Sequence, residues 1–182
     1  MKLEKIVLEG ERFRLRTIES KDIDSITKYC KDRLVSRWLL RVPYPYKRKD
    51  AEDFIKRNRK KELKGEARRF GIEIDGEIVG VCSLESIDLK NKNAELGYWL
   101  GKPFWKKGYM TEAVKMVVEY GFKKMKLERI YASALDVNIG SQKVLKKLGF
   151  KKEGISRKEI FKNNRWYNRL WFGLLKDEYK KS

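Results

Sequence analysis

Hydrophobic positions change their period several times along the chain, and each change marks an element. Phe13-Arg14-Leu15-Arg16 alternates apolar and basic residues, as a half-buried strand does. Ile23, Ile26 and Tyr29 then recur at helical spacing, with Ser20 placed as the cap and Asp22 in the first turn. A short helical piece is expected from Val35 to Leu40; Pro43 and Pro45 break it and leave Tyr44 and Tyr46 in a loop. The sparse stripe Ala51, Phe54, Ile55 and Leu63 predicts a charged helix from about Asp50 to Leu63, ended by Gly65. Arg69–Ile74 and Ile78–Leu84 read as strands joined at Asp75-Gly76, a turn whose residues tolerate positive φ.

The second half begins with a short aromatic strand, Glu95–Leu100, closed by Gly101 and Pro103. Val114, Val117, Val118, Gly121, Phe122 and Met125 follow at helical spacing. Ile130–Ala134 is the next strand, then a helix from about Asn138 to Leu148, with Gly149 as a left-handed cap that lets Phe150 pack on Leu145. Ile155–Phe161 and Trp166–Leu174 flank Asn163-Asn164 as a second hairpin. The pattern predicts an α+β protein with a sheet of about seven strands. The strand–helix–strand passage around residues 111–125 requires a parallel pair in an otherwise antiparallel sheet. With no repeat, low-complexity run or linker in 182 residues, a single domain over 1–182 is expected.

Composition narrows the chemistry. There is no histidine, which removes Ser-His and Cys-His nucleophilic sites and His-ligated metals. Cys30 and Cys82 lack metal-type spacing, so two unpaired thiols, a cytoplasmic location and no metal are expected. No apolar run approaches the ~20 residues of a membrane span, and no signal-peptide core opens the chain. The net charge of +19 admits two readings. One is a footprint for nucleic acid or a ribosome-associated partner; the other, favoured by the even spread of lysine and arginine, is a Lys/Glu-rich surface.

The stretch 94–125 carries the strongest functional signal. A strand runs into a basic loop, which opens a helix whose free N–H groups and dipole favour an anion. Neither a Walker A loop nor a dinucleotide fingerprint occurs. Instead, Trp105-Lys106-Lys107-Gly108-Tyr109-Met110-Thr111-Glu112-Ala113 resembles the pyrophosphate loop of the GNAT-superfamily acetyl-CoA-dependent N-acetyltransferases, which runs Gln/Arg-x-x-Gly-x-Gly/Ala. Preceded by Glu95-Leu96-Gly97-Tyr98, it is similar to the branch containing ribosomal-protein N-terminal acetyltransferases. Trp105, Lys106 and Met110 depart from the pattern, but a loop that binds through backbone N–H groups tolerates such changes. Asn138-Ile139-Gly140-Ser141 and Leu148-Gly149-Phe150 resemble the start and end of the family's second helix.

The resemblance implies a splayed parallel pair with helices on both faces of the sheet. It implies acetyl-CoA bound along Tyr98, Trp99 and Leu100 and on the loop from Trp105 to Thr111, with Asn138 bonding pantetheine or capping its helix. Transfer to an amine needs a donor to the carbonyl oxygen, a base, and a tolerated thiolate. Glu95 stands where relatives carry the base, unless it is merely solvated or paired with a residue such as Lys92. Leu145 replaces the tyrosine acid of many relatives, leaving Ser141 as the group near sulfur. Lys102, Lys106 and Lys107 would screen phosphates, and Trp38, Tyr44 and Tyr46 fall in acceptor loops or pack as ordinary loop residues. The expected acceptor is a protein N-terminus, such as that of a ribosomal protein, whose amine attacks the thioester directly, and the enzyme is expected to be a monomer or homodimer. A polyamine acceptor and a basic nucleic-acid-binding module are the alternatives.

Overall fold

A computed structural model describes residues 4–40 and 42–179. Eight strands form one sheet in the order β1-β2-β3-β4-β5-β6-β8-β7: Val7–Glu9, Arg14–Arg16, Arg68–Ile74, Glu77–Asp88, Asn93–Leu100, Arg129–Leu135, Lys151–Lys162 and Arg165–Leu175 for β1 to β8. Every neighbouring pair is antiparallel except β5 and β6. The sequence expectation of about seven strands misses β1. Of its three residues none is fully buried, so it carries no legible period.

Among the described residues six α-helices accompany the sheet: α1 Ile23–Cys30, α2 Arg33–Ser36, α3 Arg48–Leu63, α4 Tyr109–Lys123, α5 Ile139–Lys147 and α6 Lys176–Tyr179. Three of the expected starts need correction. Ser20 lies inside a tight turn before α1, and Asp22 Oδ2 accepts instead from the amide of Glu19 at 2.8 Å. The helical piece expected at Val35–Leu40 is shifted to Arg33–Ser36 because Asp32 accepts from the amide of Leu34 at 2.8 Å and sets the start. The helix expected from Asp50 opens at Arg48, with Asp50 Oδ2 taking the amide of Lys47. Gly149 takes φ +85°, and the amides of Gly149 and Phe150 return to the carbonyls of Lys146 and Leu145, a left-handed cap as expected.

Side chains on one face of the sheet pack with α4 and α5 in the main core, while α1 and α3 close a smaller cluster of Ile26, Cys30, Tyr46, Ala51 and Ile78. Arg16 ties the entry of α1 to the sheet. Its guanidinium donates to both Asp22 oxygens at 2.7 and 2.8 Å and lies 3.1 Å from Glu73, all three nearly excluded from water. Helix α4 buries Val114, Val117, Val118 and Phe122 to 3% exposure or less, each contributing about 1.5–3 kcal/mol of apolar burial. Gly121 seats this helix. A Cβ there would stand 3.0–3.3 Å from terminal methyls of Ile130, Leu84 and Leu127.

Gly121→Val is therefore expected to push α4 off β4 and β6, lowering stability by about 1–3 kcal/mol in denaturant unfolding. Because α4 begins at the basic loop to which the resemblance assigns pyrophosphate, affinity for coenzyme A should fall alongside. Unchanged stability would mean that the helix seat is looser than its contacts indicate.

Candidate active site

The parallel pair is incomplete. Strands β5 and β6 pair from Asn93/Arg129 only as far as Leu96/Ala132, although both continue, to Leu100 and Leu135. Beyond that point β5 stays bonded to β4 up to Leu100/Gly80, and β6 to β8 up to Leu135/Arg169. The two strands thus part, each retained by its outer neighbour. The amide of Gly101 donates to Val79 in β4 at 2.8 Å, so by alternation the peptide groups of Tyr98 and Leu100 point the other way, into the gap. The carbonyl of Leu100 is partly committed, since the Trp105 indole donates to it at 2.7 Å. That bond folds the loop back onto the strand end and gives Trp105 a structural task that its identity did not disclose.

The loop then climbs to α4 through left-handed backbone at Lys106, φ 61°, and Gly108, φ 86°, the latter at the helix N-cap. No backbone amide from Lys106 to Thr111 donates to an acceptor among the described residues, and no side chain caps the helix. Consecutive free N–H groups at the positive end of a 15-residue helix favour an anion. Glu112 in the first turn would oppose an anion, but Arg12 neutralises it. Arg12 Nε and Nη2 donate to Glu112 at 3.2 and 2.8 Å, Nη1 donates to the Lys107 carbonyl at 3.0 Å, and the guanidinium lies 4.5 Å from the Tyr109 ring centre. Nothing in the spacing of Arg12, 95 positions before Lys107, announces this clamp. Only the β1–β2 turn brings it there. The cradle fits a pyrophosphate.

Across the gap lies the start of α5. Asn138 Oδ1 accepts from the amide of Ser141 at 3.2 Å, so Asn138 does cap the helix, while its side-chain nitrogen Nδ2 donates to no acceptor among the described residues. Gln142 and Asn168 hold the turn that precedes it, through the Asp136 carbonyl at 2.9 Å and the Asp136 carboxylate at 2.9 Å. The Ser141 hydroxyl is 2.8 Å from the phenol of Tyr98. Burial holds that phenol's pKa above its ordinary value, against the opposing effect of the Ser141 hydrogen bond. Leu145 is fully buried and presents no polar group.

Glu95 is half-buried, in register between Glu85 of β4 and Tyr131 of β6. Its carboxylate makes no hydrogen bond or ion pair among the described residues, Lys92 included, whereas Glu85 is engaged by Arg69. Burial first, and then the Glu95 charge, raise the Tyr131 phenol. Cys82 is fully buried, and desolvation drives its thiol far up; Cys30 is pushed up to about 12 by the same cause. Tyr46 packs in the smaller core rather than in an acceptor loop, while Tyr44 is exposed beneath Arg33, and Arg37 lies 4.3 Å above Trp38. Lys102, Lys106 and Lys107 are exposed.

The family model for the acetyltransferase (GNAT) domain matches residues 12–151, and the chain belongs to that family. Among curated relatives it is 36% identical to the uncharacterized N-acetyltransferase p20 of Bacillus licheniformis, over 94% of this chain and 97% of that one. It is 29% identical to YdaF of Bacillus subtilis (strain 168), named as a candidate ribosomal N-acetyltransferase, over 94% and 95% of the two chains. It is 27% identical to the spermidine N(1)-acetyltransferase of Escherichia coli (strain K12), over 91% and 87%. A solved GNAT-family acetyltransferase from Bacillus anthracis superposes with a TM-score of 0.83 at 26% identity, covering 95% and 100% of the chains. The fold is the GNAT fold and the activity is that of a GNAT N-acetyltransferase.

Gly108→Asp tests the cradle. The strain of a side chain at this φ is about 1 kcal/mol, and aspartate tolerates it well, so folding should survive. A carboxylate among the free amides should nonetheless lower coenzyme A affinity by more than about tenfold in calorimetry. Arg12→Ala, which frees Glu112 and the loop, should produce a smaller loss. Unchanged affinity in the aspartate variant would place the phosphates elsewhere.

Proposed function

We propose that the protein transfers acetyl from acetyl-CoA to the primary amine at the N-terminus of a protein or peptide, by direct attack in one ternary complex. The observation that carries this is a continuous path: free amides at the start of α4, an unpaired edge of β5 leading away from them, and an unpartnered carboxylate where the strands part. The amides of Lys106 to Thr111 would hold the pyrophosphate, with Trp105 anchoring their loop and Lys102, Lys106 and Lys107 adding positive charge. The exposed peptide groups of Tyr98 and Leu100, with Trp99 fixed between them in the sheet, would align the pantetheine arm and donate to the acetyl carbonyl oxygen. The free side-chain nitrogen Nδ2 of Asn138 is a further donor for that arm. Acetyl-CoA supplies an activated acyl group whose leaving thiolate is tolerable, because a thiol pKa near ~8.5 makes it a weak base.

Glu95 takes the amine proton, through water, since an ammonium has no lone pair to attack with. Ser141 donates to the departing sulfur. Direct attack is favoured over an acyl-cysteine because both cysteines are buried and held protonated. Their free state suits a reducing compartment such as the cytoplasm.

The N-terminal acceptor draws support from the similarity to YdaF and from the charge of +19, which attracts acidic chains and repels polycations. A polyamine acceptor is the second reading, favoured by the similarity to the spermidine enzyme.

Glu95→Gln keeps the shape and removes basicity. Its kcat should fall by about 10² or more, and the acidic limb of the pH–rate profile should vanish. Retention of both dismisses Glu95 as the base.

Acidic N-terminal peptides should exceed neutral ones in kcat/KM at low salt and lose part of that lead as salt rises. Spermidine as the best substrate, or a peptide ranking indifferent to salt, would reject the electrostatic argument and make the net charge a surface property.

A further inference from the structure

Resting on the transfer chemistry above, we infer that Tyr98 is a positioning residue for the leaving group: its phenol donates to the Ser141 hydroxyl and thereby aims the serine proton at the thioester sulfur. The two oxygens are 2.8 Å apart although they belong to elements on opposite sides of the gap, β5 and α5. The phenol can also donate to the Ser141 carbonyl, at 3.3 Å, so its single proton is shared between that oxygen and the hydroxyl, and the hydroxyl is the nearer of the two acceptors. A serine hydroxyl has one proton. If it donates to Tyr98, it has none for sulfur; if it accepts from Tyr98, its proton is free. The second arrangement also strengthens the serine as a donor, because an O–H that accepts a hydrogen bond is polarised by it.

The placement explains how the site works without a polar group on α5 at position 145, where Leu145 is fully buried in the core. A phenol reaches the same helix from the strand instead. Tyr98 shares the register of Cys82 in β4 and is half-buried, so the phenol sits in a low-dielectric environment where a hydrogen bond counts for more than in water. Burial also keeps it protonated, and therefore a donor throughout the cycle.

The step balances as follows. The acceptor ammonium first gives one proton, through water and Glu95, to solvent. The amine nitrogen then forms the C–N bond, the C–S bond breaks, and the electron pair leaves on sulfur while the Tyr98–Ser141 chain donates to it. The second nitrogen proton passes by way of Glu95 and water to the thiolate, yielding amide, thiol and one released proton. Tyr98 and Ser141 end with the protons they began with.

The test compares Tyr98→Phe, Ser141→Ala and the double variant in the full chain. Kinetics with acetyl-CoA and an N-terminal peptide should show kcat lowered about ten- to a hundredfold in each single variant, with the double no worse than the more impaired single. A second readout needs no turnover: the ultraviolet absorbance of the thiolate of bound coenzyme A, titrated with pH. Losing the donor chain should raise the bound thiol's pKa by about one unit in all three variants, with coenzyme A affinity at neutral pH and Tm little changed. An unshifted thiol in Tyr98→Phe, or multiplicative losses in the double variant, overturns the inference while leaving Ser141 in its own role. If Ser141→Ala also leaves the rate and the thiol unchanged, the assignment of Ser141 falls with it. No transfer by the wild type to any amine would reject the acceptor chemistry itself.

Discussion

Two parallel strands that share a ladder to Leu96 and Ala132 and then separate create everything else in this site. Separation leaves peptide groups of β5 without a partner, and unpaired backbone polar groups out of water are costly. The cost is sustained because each strand keeps its outer partner, β4 or β8, over its full length. A chain of amide and carbonyl groups such as pantetheine is a natural substitute for the missing strand. On the proposed function, the gap is both a defect in the sheet and the reason the sheet would bind an acyl donor.

The two ends of the gap are set by different physics. At the outer end the proposed ligand would be held by charge: free amides at the start of α4, left-handed turns at Lys106 and Gly108, and Arg12 cancelling the carboxylate of Glu112. At the inner end the groups are few and weakly charged, with Glu95 on one face of β5 and the Tyr98–Ser141 pair reaching toward α5 on the other. Alternation along a single strand would therefore place the proposed deprotonation and leaving-group stabilisation on opposite faces. On this reading affinity would reside mainly in the loop and chemistry mainly in the strand, so the two could vary separately.

Much of this was legible in the sequence because it is local. Local signals located the hairpin at Asp75-Gly76, helix α4 and the left-handed cap at Gly149, and the strand–basic loop–helix passage stands where it was expected. Local signals failed where a partner lies far along the chain. Arg12 reaches Glu112 only because the β1–β2 turn is carried past α4, and the indole of Trp105 bonds a carbonyl that no motif specifies. Tyr98 was expected to matter through its backbone, since nothing in Glu95-Leu96-Gly97-Tyr98 tells that its side chain meets Ser141, 43 residues later. Tyr46 is a loop residue as expected, but that its ring packs inward was not legible, because the core it joins is assembled from α1, α3 and β4 together.

The central claim is that the acyl donor lies along the gap between β5 and β6 with its phosphates on the start of α4. Backbone amide NMR of the labelled protein, titrated with coenzyme A, measures this residue by residue. The amides of Lys106 to Thr111 and those of Tyr98 and Leu100 should shift together at one affinity and gain protection from exchange, while amides around Asn58, Glu62 and Arg69, which line a separate cavity of about 220 Å³, stay still. Shifts centred on that cavity, with the loop and the strand edge unmoved, would contradict the account.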